Sequence, residues 1–305
     1  MGDIRIFAMD GPQAEELKGS SVELEKSLQR YIEQNLDELL GIAFLATEYG
    51  TGKTHGGRID TLGLDENGFP VIIEYKRAMN ENVINQGLYY LDWLLDHKGE
   101  YELLVLKQLG NDYSDKIDWS SPRLLCIAGD YTKYDIHAVS QINRNIELIR
   151  YRKFDRQLLL LDSVNISTTQ QPQQGTEGRK SSRATVGKSL VSEILAQCPL
   201  DIQDRYESLK AFMENLGEDV VVSVLKHYIA FKRTRNFACV QFVPTRGVIL
   251  VYVNVQPTSD ILEDGFTRNV TTIGHYGTGD LEIQIRTDAD VDRAKPLIVR
   301  SFEGR

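Results

Sequence analysis

The sequence predicts a two-domain α/β protein: a mixed α/β domain over residues 1–163, a flexible linker over 164–187, and a smaller α+β domain over 188–305. Three observations predict it. In the first part, apolar residues recur at helical spacing and then in strand-like runs, in the order helix, antiparallel strands, helix, strand, helix, strand. The stretch VNISTTQQPQQGTEGRKSSRATVG at 164–187 is dominated by Ser, Thr, Gln and Gly, and buries too little apolar surface to offset the entropy of ordering. The 305 residues, 41% of them hydrophobic, supply apolar material for two cores.

Residues 4–9 read as a short strand. A helix follows, with Ser20 as its N-cap and Glu23 completing a capping box. Leu24, Leu28, Tyr31, Ile32, Leu36 and Leu39 then share one helical face, and Gly41 closes the helix. Strands are expected over 42–48, 58–64 and 70–76. The last two are joined by Asp65-Glu66-Asn67-Gly68, where Asn-Gly suits a tight hairpin because both residues tolerate positive φ. A helix over 83–96, strands over 102–107 and 123–128, a helix over 136–145, and strands over 146–151 and 157–162 complete the domain. The C-terminal domain is expected to hold helices over 188–198, 202–217 and 290–302, with strands over 220–228, 236–244, 247–253 and 280–285.

Composition excludes some function classes. The longest aliphatic run, residues 158–161, is far shorter than the ~20 residues of a membrane span. The opening Met1-Gly2-Asp3-Ile4-Arg5 lacks the basic-then-apolar order of a secretion signal. Cys126, Cys198 and Cys239 lie far apart without C-x-x-C spacing, so neither a disulfide framework nor a zinc site is indicated, and reduced thiols in a cytoplasm are expected. The net charge of −9 sits wholly in the first part: residues 1–162 carry 18 Lys and Arg against 27 Asp and Glu, and the remainder carries 17 of each. This opposes tight non-specific coating of a duplex. It does not oppose local phosphate binding, where a bound cation and a few basic residues set the field.

The chemistry concentrates in Gly57-Arg58-Ile59-Asp60-Thr61-Leu62, the turn, and Val71-Ile72-Ile73-Glu74-Tyr75-Lys76. Asp60 interrupts an apolar strand pattern. Glu74 and Lys76, two apart, point to one face of their strand. The hairpin lays the two strands side by side and so brings Asp60 towards Glu74. Two buried carboxylates repel unless a cation joins them. Mg²⁺ or Mn²⁺ suits the pair, since hard cations take oxygen ligands and Mg²⁺ needs only one or two carboxylates. A lysine beside such an ion can hold the attacking water. Gln86 and Tyr90, four apart, share a face of the following helix and can orient Lys76 or contact the scissile strand.

This constellation resembles the PD-(D/E)XK nuclease superfamily, most closely the branch related to NucS-type endonucleases and tRNA-endonuclease-like domains. Asp60, the Glu74-Tyr75-Lys76 triplet and the Gln86…Tyr90 pair carry the resemblance, over roughly residues 15 to 130. Ile59 stands where the superfamily name expects proline. The resemblance implies a restriction-endonuclease-like mixed sheet flanked by helices. It also implies a catalytic set of Asp60, Glu74, Lys76, Glu25, Gln86 and Tyr90, with Asp60 and Glu74 holding Mg²⁺ or Mn²⁺. Glu25, on the preceding helix, best matches the family's additional acid. Nucleic acid, DNA before RNA, is the implied partner. No membrane is, and a homodimer stays open.

Other signals are weaker. Gly50-Thr51-Gly52-Lys53-Thr54 imitates a phosphate-binding loop, but the glycine required at position 47 is Thr47, and a strand follows where a helix should. Lys53, His55 and Arg58 are instead read as loop residues able to touch a phosphate backbone. Arg150, Arg152, Lys153 and Arg156, with Tyr151 and Phe154 between them, form a basic and aromatic run suited to nucleic acid or to an exposed strand end. Lys232, Arg233 and Arg235 form a similar run. The segments at 228–232, 236–239 and Gly274-His275-Tyr276-Gly277-Thr278-Gly279-Asp280 resemble a bacterial domain loosely labelled a predicted transport protein, although no segment here could carry out transport across a membrane. Three readings remain at this level: a metal-dependent endonuclease, a nucleic-acid-binding module without hydrolysis, and a two-domain protein that binds proteins or a small ligand.

Overall fold

The computed structural model describes residues 4–10, 13–20, 25–52, 56–76, 83–154, 158–164 and 190–304. The chain divides into two compact units, Met1–Pro172 and Gln173–Arg305. Of the expected linker, all but Val164 lies outside the described residues.

The first unit opens with a hairpin of β1 (Ile6–Asp10) and β2 (Gln13–Leu17), followed by the short β3 (Gly19–Ser20). Helices α1 (Glu25–Gln34) and α2 (Leu36–Leu40) lead into β4 (Ile42–Gly50), β5 (Arg58–Asp65) and β6 (Pro70–Lys76). Then come α3 (Val83–Asp96), α4 (Lys98–Leu109), the short α5 (Asn111–Ser114), β7 (Arg123–Ala128), α6 (Lys133–Gln141), β8 (Asn145–Phe154) and β9 (Leu158–Ser163). The strands form one seven-stranded sheet in the order β4-β5-β6-β7-β8, with both β3 and β9 paired to β8. The pairs β4/β5 and β5/β6 are antiparallel, whereas β6/β7 and β7/β8 are parallel. The parallel pairs require long crossovers, which the intervening helices supply.

Each face of the sheet buries its own core. On one, Ile32, Leu36 and Leu40 of the first two helices meet Val71, Ile73, Tyr75, Leu125 and Ile127. On the other, Leu91, Trp93 and Leu94 of α3 and Tyr101 and Val105 of α4 meet Leu62, Leu64, Ile72, Leu124 and Cys126. Alternation along β6 therefore directs Tyr75 towards α1, and Glu74 and Lys76 towards α3. The hairpin turn forms as expected. Gly68 takes φ 85°, and a Cβ there would meet the Lys116 carbonyl at 2.1 Å, so glycine is required twice over.

Several expected elements differ. Residues 102–107 form no strand; they belong to helix α4, in which Tyr101 and Val105, four apart, are buried while Leu103 and Leu106 are exposed. A short apolar run has no unambiguous period, and the tertiary setting selected the helix. The helix expected to start from a Ser20 cap is described from Glu25 on, residues 21–24 lying outside the described residues, and Ser20 pairs with Lys153 of β8. The helix expected over 136–145 starts earlier, at Lys133, behind a Thr132–Asp135 capping box.

The second unit carries a six-stranded antiparallel sheet in the order β10-β11-β12-β13-β15-β14. Its strands are β10 (Val221–Val224), β11 (Ile229–Lys232), β12 (Asn236–Val243), β13 (Val248–Val253), β14 (Thr267–Asn269) and β15 (Leu281–Ile285). Helices α7 (Leu190–Gln197), α8 (Leu200–Glu214) and α9 (Asp288–Glu303) cover one face over a core that includes Phe231, Phe237, Val251 and Ile283. The expected strand over 220–228 is cut short at Val224, and β11 and β14 were not expected. Among the described residues no helix is long and apolar enough to cross a membrane.

Candidate active site

The regular β5/β6 ladder runs from Leu64↔Pro70 to Thr61↔Ile73 and then stops. Beyond that point side chains take over the cross-strand bonding. The Asp60 amide donates to Glu74 Oε1 (3.2 Å), and the Tyr75 amide donates to Asp60 Oδ2 (3.0 Å). Each carboxylate is thus held by the backbone of the opposite strand. On the remaining side, the Asp60 carbonyl accepts from Gln29 Nε2 of α1 (2.8 Å). Asp60 is half-buried, and Glu74 is fully buried.

The electrostatics of the pair are unfavourable as they stand. Burial, with the Asp60 carboxylate second, pushes the Glu74 carboxyl from its ordinary 4.5 up to about 9; the Asp60 amide and the Lys76 charge act in the opposite direction. Glu74 Oε2 is buried with no hydrogen-bond partner. An orphaned buried carboxylate oxygen costs free energy on the order of several kcal/mol when charged. Lys76, half-buried at the strand end, lies close enough to interact with Glu74.

Gln86 and Tyr90 occupy neighbouring ground. Gln86 Nε2 donates to the Tyr90 hydroxyl (3.3 Å), which accepts from the Arg58 amide (3.2 Å). Tyr90 approaches so closely that a Cβ on Gly57 would sit 2.6 Å from its hydroxyl oxygen. The pair therefore supports the start of β5, two residues before Asp60. The Arg58 side chain is exposed and forms an ion pair with Glu48 (2.6 Å). Lys53 and His55 lie outside the described residues, as does the side chain of Glu25, whose backbone opens α1.

Arg150 shares a sheet row with Lys76: Lys76 pairs with Ala128, and Ala128 with Arg150. Its guanidinium, however, engages Asp130 (3.1 Å) and Asp162 (2.6 Å). Two carboxylates on one cation leave no net positive charge there for a phosphate. Arg152 and Lys153 follow on β8, half-buried and exposed respectively, while Arg156 lies outside the described residues. In the second unit Arg233 is paired with Asp219 (2.7 Å).

The sequence reading did not single out Gln29 and Glu33. A signal existed: Gln29 is spaced with Leu28 and Ile32 on the apolar face of α1, where an amide is out of place unless something bonds it.

Residues 191–304 match the family described as a domain of unknown function, DUF5655. Over 98% of its length the chain is 29% identical to a protein of Haemophilus influenzae described as an uncharacterized protein, which the similarity covers entirely. Among solved structures it is similar to a repair endonuclease from Pyrococcus abyssi, with 18% identity, a TM-score of 0.28, and 42% of this chain and 47% of that one covered. It is also similar to a structure of an EndoMS–double-stranded DNA complex, with 22% identity, a TM-score of 0.24, and coverage of 47% and 49%. The chain spans about half the length of each of these two structures.

Proposed function

We propose that the first unit is a divalent-metal-dependent nuclease that hydrolyses phosphodiester bonds in nucleic acid, with DNA as the preferred substrate. One observation carries this reading: a fully buried carboxylate oxygen, Glu74 Oε2, without a hydrogen-bond partner beside a second carboxylate. A cation is the partner that such an oxygen lacks. The donor set of two carboxylate groups suits Mg²⁺ or Mn²⁺, hard ions that are content with few protein ligands when water and phosphate supply the rest. Asp60 and Glu74 would hold the ion. When bound, it would neutralise charge building on the phosphate and make an attached water more acidic.

The chain's own residues do the rest. Lys76 would hold the attacking water by hydrogen bonding and take up or return its proton. Tyr90, oriented by Gln86, keeps the start of β5 in place, and with it Asp60. Glu25 would supply the further acid that the resemblance implies. Arg58, Arg152 and Lys153, with Lys53, would contact the phosphate backbone, whereas Arg150 would contribute chiefly by tying β8 to β9 through Asp162. The unit that contains residues 191–304 would select the target or a partner.

The test is cleavage of plasmid DNA by the purified full chain. Products are expected with Mg²⁺ or Mn²⁺, none with chelator, and none from Asp60→Ala, Glu74→Ala or Lys76→Ala proteins of unchanged circular dichroism. Cleavage that ignores the metal, or survives in all three variants, overturns the proposal. A second reading, nucleic-acid binding without hydrolysis, draws on the finding that no group of three His, Cys, Asp or Glu able to hold a metal occurs among the described residues. It would appear as a gel shift retained in all three variants, without products from any protein.

A further inference from the structure

We infer that Gln29 is a positioning residue for Asp60, acting on its backbone from the α1 face of the sheet, opposite the face to which Glu74 and Lys76 point; the inference rests on the metal-site reading above. Gln29 is buried, only 6% exposed, and its amide nitrogen reaches three oxygens: the Asp60 carbonyl (2.8 Å), Glu33 Oε1 (3.0 Å) and Thr47 Oγ1 (3.2 Å). The first two oxygens can only accept when Glu33 is ionised, so the NH₂ end of the amide must face them and the side chain has one workable orientation. Glu33 is one helical turn further along α1 and is itself fixed by the Thr61 hydroxyl (2.6 Å). Gln29 thus holds the Asp60 carbonyl and Glu33 the hydroxyl of the next residue, Thr61.

The grip falls where the β5/β6 ladder ends, at a residue that β4 still brackets through Thr47↔Thr61 and Tyr49↔Ile59. Asp60 has no partner in the β5/β6 register, because the ladder ends at Thr61↔Ile73. Without Gln29 its carbonyl would lose this partner, and one restraint on the orientation of Asp60 would go with it. Three of the contacts that hold Asp60 are Gln29 at its carbonyl, Glu74 at its amide and the Tyr75 amide at Oδ2. Only the first of these comes from outside the hairpin. Outer partners of this kind are worth roughly 10- to 100-fold in metal affinity.

The test is Mn²⁺ binding to the full chain, by calorimetry and by the electron paramagnetic resonance signal of the free ion, in wild type, Gln29→Met, Asp60→Asn and Ile32→Val. Gln29→Met keeps the volume and removes the donor; Ile32→Val loosens the same helix without touching the network. The expected result is a loss of about tenfold in Mn²⁺ affinity for Gln29→Met, with Ile32→Val within twofold of wild type even where it melts at a lower temperature. If Gln29→Met does not fold, Glu33→Gln takes its place, with a smaller loss of affinity expected in the same direction. Wild-type affinity in the folded Gln29 or Glu33 variant, or an equal loss in Ile32→Val, overturns the inference. Loss of binding in Asp60→Asn alongside wild-type affinity in Gln29→Met defeats only this inference, whereas full Mn²⁺ binding by Asp60→Asn, or none by wild type, defeats the metal site as well.

Discussion

The hairpin of β5 and β6 buries an acid towards each end, Asp65 of β5 and Glu74 of β6, and the two are built on opposite plans. At the turn end, Asp65 accepts from the Asn67 and Phe69 amides through Oδ1 and meets Arg123 through Oδ2 at 2.9 Å. Arg123 also grips Glu147 with two parallel hydrogen bonds of 2.7 and 2.9 Å. Burial works against the Arg123 charge, but the Glu147 and Asp65 carboxylates outweigh it and raise its pKa. At the other end, Asp60 approaches a buried Glu74 that has an orphaned oxygen and, among the described residues, no arginine partner. The second unit repeats the first plan, since its buried Glu282 is met by Arg268, Tyr252 and Gln284. Where this protein buries an acid for structure, it satisfies it; an unsatisfied one calls for a different explanation.

The contrast can be broken or sharpened by experiment. The largest effect is expected at the satisfied end. Arg123→Met leaves Asp65 and Glu147 without their cation and should destabilise by about 3–5 kcal/mol, as read by urea unfolding. Glu74→Gln, at the other end, removes a charge conflict and should leave the metal-free protein at least as stable as wild type. A comparable loss in both variants would make Glu74 another structural acid.

The next effect is that of metal. Saturating Mn²⁺ should stabilise wild type by about 2–3 kcal/mol at a hundredfold excess over its dissociation constant. Glu74→Gln should lose most of that gain, as differential scanning calorimetry would show. The pH dependence follows from the same carboxyl. Its pKa is about 9 in the folded chain against an ordinary 4.5, so folding favours the protonated form. The stability this contributes is full below about 4.5 and is lost as pH rises through 9. Metal-free wild type should therefore weaken by about 1–3 kcal/mol across that window. The slope should flatten in Glu74→Gln and in saturating metal; an unchanged slope in the variant would point to another group. The smallest effect belongs to Arg58→Ala, whose exposed ion pair with Glu48 should contribute less than about 0.5 kcal/mol to stability. If Arg58 contacts a phosphate, the same change should weaken DNA binding for all sequences alike and lower the salt slope by about one.

Much of the first unit was legible because its signals are local. The Asn67-Gly68 turn, the apolar runs on either side, and the two-residue spacing of Glu74 and Lys76 specify a hairpin with both charges on one face. Residues 102–106, Glu-Leu-Leu-Val-Leu, misled because four apolar residues in succession suit a buried strand as well as a helix. Ser20 misled because a capping sequence does not show whether its backbone is already committed, here to β8. Arg150 looked like a cation free for a phosphate, since the acids that pair with it, Asp130 and Asp162, lie 20 and 12 positions away.

By itself, the sequence determined the alternations and helical spacings, the tight turn, and which charged side chains share a face, because each depends on backbone geometry within a few residues. Only the tertiary structure decided that Arg123 would reach Asp65 58 positions away while no described residue bonded Glu74 Oε2. It alone decided that Gln29 of α1 would hold the Asp60 carbonyl, 31 positions on. The reason is that a charge or an amide is satisfied through space, and the partner's identity depends on which strands lie side by side and which helix crosses them.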